Sequence, residues 1–66
     1  MADLIQQLRR ARERQGRSQA RLSKMIGASA SAVADWETGR NRPRLDMLLA
    51  WAGALGLRLE LVKEKS

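Results

Sequence analysis

The side chains of this 66-residue chain that can take part in chemistry are mostly hydrogen-bond donors and cations. Lys and Arg number 13 against 7 Asp and Glu, giving a formal net charge of +6, and His, Cys and Tyr are absent. The usual nucleophiles and general bases are therefore mostly missing. No Gly-rich phosphate loop and no paired carboxylates occur, and so short a chain is too small for a deep pocket, so an enzyme is not expected, nor is a cofactor. Thiolate zinc sites are excluded, and the scattered acidic residues make an all-oxygen metal site improbable. Such a charge excess points instead to a polyanion partner, nucleic acid ahead of an anionic membrane.

Two clusters suit that partner. Arg40-Asn41-Arg42-Pro43-Arg44 concentrates cations and donors in one short loop. Ahead of it, Ala30, Ser31, Ala34 and Asp35 point outward on a face with little bulk, as entry into a groove demands. With two aromatic residues in the chain, both expected in the core or at an interface, stacking on single-stranded bases has little support.

Positioning these clusters requires helices. Gly16, Gly27, Gly39 and Gly56 divide the chain into short pieces. The spacing predicts a first helix from about Asp3 to Gln15, capped by Asp3, with Leu4, Leu8 and Ala11 on one face beside Ile5 and Arg12. A second runs from the N-cap Ser18 to Ile26, burying Leu22, Met25 and Ile26. A third follows the N-cap Ser29 and ends at Gly39, burying Val33 and Trp36. Pro43 disfavours helix at Arg42, so the fourth helix starts after it and spans roughly Leu45 to Leu55, with Leu45, Leu48, Leu49, Ala52 and Leu55 as its core stripe. Met47 and Trp51 lie off that stripe, where they form either a second core face or a dimer contact. Gly53, costly in mid-helix, suggests a close helix approach.

The last piece, Leu57-Arg58-Leu59-Glu60-Leu61-Val62-Lys63, alternates with period two and reads as one half-buried strand. A lone strand leaves its backbone unsatisfied, so pairing with the same strand of a second copy is expected. The alternative is an extended tail on which Leu57 and Leu59 continue the packing of the fourth helix. A domain this small is marginal alone, which also favours a partner chain. The fold expectation is thus all-α, a bundle of four to five short helices over residues 1–56, with residues 57–66 a short C-terminal β-strand pairing across a dimer and a frayed tail. No apolar run reaches the ~20 residues of a membrane span and no signal peptide is apparent, so a cytoplasmic location is expected.

Two helices joined by a short Gly-containing turn have the shape of a helix-turn-helix, a weak signal by itself. The ordered run Ser18-Gln19-Ala20-Arg21-Leu22-Ser23, Ile26-Gly27-Ala28-Ser29, Val33, Trp36-Glu37-Thr38-Gly39-Arg40 and Pro43 resembles the Xre/Cro, phage-repressor-like helix-turn-helix family from Leu4 to about Leu55. The tail Ala54-Leu55-Gly56-Leu57-Arg58-Leu59-Glu60-Leu61 looks like that of Hip-type antitoxins, in which C-terminal strands pair across a dimer.

The resemblance implies roles. Gln19, with its N-cap Ser18, would meet a DNA phosphate at the start of the second helix. Ser29, Ala30, Ser31, Ala34 and Asp35 would face bases, and Arg40, Asn41, Arg42 and Arg44 would lie along the backbone. Unlike many family members, this chain has no long donor on the reading face, which implies modest direct readout and more weight on phosphates and DNA shape. Asp35 would read a base or pair locally, for example with Arg40. Arg12 and Glu37 occupy the positions of a structural ion pair. Met47, Trp51, Leu57, Leu59 and Leu61 would form the dimer interface. The implied function is a transcriptional repressor binding a near-palindromic operator as a homodimer. It would be an antitoxin that represses its own toxin–antitoxin operon and also holds a kinase-like toxin, the alternatives being a free-standing regulator without a toxin or a module chiefly for toxin binding.

Overall fold

The computed structural model describes residues 2–61. Four helices follow one another in the order α1 (Ala2–Arg14), α2 (Gln19–Ile26), α3 (Ala30–Thr38) and α4 (Leu45–Ala54). Local chemistry sets the inner ends. The Ser18 hydroxyl accepts from the Arg21 N–H at 3.0 Å and the Ser29 hydroxyl accepts from the Ala32 N–H at 3.0 Å. Each satisfies one of the donors that the first turn of a helix leaves free. At the other ends the chain reverses through Gly27 (φ 75°) and Gly39 (φ 81°), left-handed conformations that cost a residue with a Cβ about 1–2 kcal/mol.

The core gathers one face from each helix. Ile5, Leu8 and Ala11 come from α1, Leu22 and Ile26 from α2, Val33 and Trp36 from α3, and Leu48, Trp51 and Ala52 from α4, with Leu55 just beyond it. Side chains bridge the remaining joints. Gln15 donates to the Leu55 carbonyl and Arg17 to the Ala54 carbonyl, each at 2.9 Å, so the end of α4 is capped from the α1–α2 turn.

Several expectations need correction. No β-strand occurs among the described residues, so the expected C-terminal strand is absent from residues 57–61, and Val62 onward lies outside them. The physical reason is visible in the backbone: the Leu57 N–H closes back onto the Ala52 carbonyl at 2.9 Å, and Leu59 packs on the core. The tail thus continues the packing of α4, the alternative that the alternation left open. Among the described residues the helices number four, and α4 ends one residue early, at Ala54.

The burial phase of α4 also differs. Trp51 is buried completely, whereas Leu45 and Leu49 are 66% and 51% exposed. A side chain with no exposed surface cannot meet a second copy, so Trp51 belongs to the core and not to a dimer stripe. Met47 is half-buried. Met25 is exposed, its sulfur 3.1 Å from an Arg17 guanidinium nitrogen. A Cβ at Gly53 would meet nothing within 4 Å among the described residues, so no other helix of the same chain approaches it closely.

Candidate nucleic-acid interface

The helix-turn-helix is α2, the turn Gly27-Ala28-Ser29 and α3. Leu22 and Val33 are both fully buried where the two helices pack, and Ile26 closes the joint. Caps at both ends of the turn fix where α3 begins. The Gly27 N–H and the Ala28 N–H both return to the Ser23 carbonyl, and Ser29 caps α3. The rotation of α3 follows: with Val33, Trp36 and Glu37 inward, Ala30 and Ser31 are exposed and Ala34 and Asp35 half-buried. That outward face carries little bulk, as entry into a groove about 12 Å wide requires. Ser29 is exposed, but its hydroxyl already accepts from Ala32 and can only donate or share a lone pair outward.

Asp35 is engaged locally. Its carboxylate lies 3.5 Å from the Asn41 side-chain amide, at the edge of hydrogen bonding, and its carbonyl accepts from the backbone N–H groups of Arg40 and Asn41. The local partner is therefore Asn41, where the sequence suggested Arg40. These bonds fold the basic loop against the end of α3. Pro43 is buried under the loop while Arg40, Asn41, Arg42 and Arg44 are exposed. Arg44 reaches Asp46 at 3.2 Å in an exposed pair, whereas Arg40 and Arg42 meet no carboxylate among the described residues. The loop thus presents cations that a phosphate could take up without breaking an ion pair.

Behind the interface lies a buried polar cluster. Arg12 Nε donates to Glu37 Oε2 at 2.7 Å and Arg12 Nη2 to Glu37 Oε1 at 2.8 Å, a two-pronged pair between α1 and α3. Arg12 Nη1 adds a 2.7 Å bond to the Arg17 carbonyl in the α1–α2 turn. The hydrogen bond to Glu37 raises the Arg12 pKa above the usual arginine value, against desolvation by burial and with added attraction from the charges of Glu37 and Glu13. Planar, forked geometry of this kind is the strong form of the arginine–carboxylate contact.

Gln19 occupies the first residue of α2, and its Nε2 donates to Glu37 Oε1 at 2.9 Å. The residue expected to meet a phosphate is thus joined to the residue expected to be structural. Ser18 sits exposed beside it. Sequence reasoning missed three participants. Arg9 is half-buried with Nε 3.9 Å from Glu37 Oε1. The other two are Gln15 and Arg17, and nothing in their spacing reveals long-range partners 40 and 37 residues away.

Among the described residues no helix is long and apolar enough to cross a membrane. Among curated proteins and among solved structures, none matches the chain significantly. A family model described as helix-turn-helix matches residues 8–62, most of the chain, and that family is in keeping with Xre/Cro-like regulators in general. The turn, the small outward face of α3 and the basic loop all fall inside the matched stretch, so the chain belongs to the helix-turn-helix family and is a DNA-binding domain of the regulatory kind.

Proposed function

We propose that this protein is a free-standing transcriptional regulator, a repressor that binds operator DNA selectively as a homodimer. The observation that carries the reading is the surface made by Ala30 and Ser31 on α3, flanked by the exposed Arg40 and Arg42, which meet no carboxylate among the described residues, and by the start of α2. Arginines of the loop supply affinity through counterion release, which is independent of sequence. Selectivity comes from Ser31, from methyl contacts of Ala30 and Ala34, and from the deformability of the DNA. An antitoxin role drew its support from the alternating tail, and the absence of a strand among its described residues, 57–61, weakens that support. A toxin partner is therefore not part of the proposal.

A second copy would seat on the end of the bundle formed by α1, α4 and the tail. There a groove of about 580 Å³ is lined by Leu4, Leu45, Leu49 and Leu59, and the fully exposed Leu61 stands at its rim. A protruding leucine beside an apolar groove suits a two-fold contact, in which each copy supplies both knob and hole. Arg58 and Glu60, 2.7 Å apart on the same rim, carry opposite charges that a rotated copy could meet in reverse.

Selection from a randomised duplex library tests the function. Enrichment of a near-palindrome, with half-sites about one helical turn apart or a multiple of it, is expected. A library that shows no enrichment contradicts operator recognition. Leu49→Glu with Leu61→Glu tests the seat of the second copy. Light scattering should give two chains for the parent and one for the variant, and a parent of one chain at high micromolar concentration contradicts the dimer.

A further inference from the structure

We propose that Glu37 is a positioning residue for DNA binding: its buried carboxylate presets the Gln19 amide at the start of α2, where it can donate to a phosphate. The inference rests on the DNA-binding reading above and adds a residue that does not itself touch DNA. The Glu37 side chain is 1% exposed, so its oxygens must be satisfied from within. Oε2 accepts from Arg12 Nε, and Oε1 accepts from both Arg12 Nη2 and Gln19 Nε2. A carboxylate only accepts, so the Gln19 nitrogen, and never its carbonyl oxygen, must face Glu37. Nε2 carries two hydrogens. One is taken by Glu37, and the other remains on a half-buried side chain beside the free backbone N–H groups of the first turn of α2.

The end of a helix attracts an anion, and an amide already held in place adds a donor without further ordering. The negative charge of Glu37 does not oppose a phosphate there, because Arg12 pairs with it fully and Arg9 lies 3.9 Å from the same oxygen. One carboxylate thereby ties α1, α3 and the phosphate-facing end of α2 together. Loss of the tether would leave Gln19 an ordinary mobile side chain.

The test is a cycle of variants titrated against a mixed-sequence duplex of about 20 base pairs, long enough for two turns, at low salt. Phosphate contacts do not depend on sequence, so no operator is needed. Gln19→Ala in the parent should weaken binding about tenfold, as expected for loss of a hydrogen bond to a charged group. Arg12→Met with Glu37→Met removes the tether while replacing a buried pair by apolar side chains, an exchange that proteins often tolerate. In that background Gln19→Ala should cost less than about twofold. Arg12→Met with Glu37→Gln returns a carbonyl acceptor and should restore most of the Gln19 effect.

Should the methionine variant fail to fold, side-chain amide exchange in the unaltered protein gives the answer. One Gln19 amide hydrogen should exchange slowly, and the other should shift when duplex is added; equal exchange of the two overturns the proposal. Equal cost of Gln19→Ala with and without the tether also overturns it, leaving the DNA-binding reading intact. A parent protein that does not bind duplex overturns both.

Discussion

The indole rings of Trp36 and Trp51 lie with their centroids 6.1 Å apart and their planes tilted by 34°. One belongs to α3, the second helix of the helix-turn-helix, and the other to α4, so this contact fastens the helix proposed to face DNA to the rest of the core. The separation falls in the range where aromatic pairs attract beyond their area burial, by about 0.5–1.5 kcal/mol.

Trp51→Ala should therefore destabilise by about 3–5 kcal/mol, the usual cost of emptying an aromatic site in a core. Leu45→Ala, at a side chain 66% exposed, should stay within about 0.5 kcal/mol of the parent. Urea unfolding followed by tryptophan fluorescence measures both. Similar losses for the two substitutions would mean that α4 is rotated from the phase described.

Breaking the Arg12–Glu37 pair on one side should be severe. Glu37→Ala leaves a buried guanidinium without its carboxylate, at about 3–5 kcal/mol. Replacing both residues by methionine should bring stability back to within about 1–2 kcal/mol of the parent, since the desolvation cost of both charges disappears with them. Thermal melts of the single and double variants decide the matter. A Glu37→Ala protein that melts within a degree or two of the parent would show the pair to be exposed in solution.

Positioning and reading should separate by mutation. Arg42→Ala should weaken binding to every duplex and reduce the slope of log affinity against log salt by about one. Ser31→Ala should instead change the preference among related operator sites and leave affinity for random duplex unchanged. Titrations of both variants on selected and scrambled duplexes, across a salt series, provide the comparison.

The response to pH should be nearly flat. With no histidine, no side chain of ordinary pKa changes charge between about pH 6 and 8, so duplex affinity should vary little there at constant ionic strength. The Arg12 contribution to stability has the sign of a raised basic group. It is present below the arginine pKa of the unfolded chain and is lost as pH rises through the higher folded value, in strong alkali. Stability measured at pH 7 and pH 9 should show no loss from this pair.

Legibility in the sequence followed from how local the cause was. The helix-turn-helix was readable because Ser18, Ser29, Gly27 and Gly39 mark ends through bonds spanning only a few residues. The burial phase of α4 was not, because Asp46 is the only charged residue in Leu45–Ala54 and an almost wholly apolar helix offers no periodicity to choose a face. The alternation in 57–61 suggested a strand, yet period two carries that meaning only where a neighbour can complete the ladder. Arg12 and Glu37 were paired through resemblance, since a contact across 25 residues has no local signature. The bond from Gln19 to Glu37 depends on three helices meeting and could not be read from spacing at all.

Selective, charge-driven recognition of duplex DNA by the α2–α3 unit can be read in a titration across a salt series. The unaltered protein is titrated by fluorescence anisotropy against its selected site and against a scrambled duplex of equal length. Affinity for both should fall steeply with salt, and the selected site should stay at least ~10³-fold tighter. Equal affinity for the two duplexes, or binding that ignores salt, would contradict such recognition.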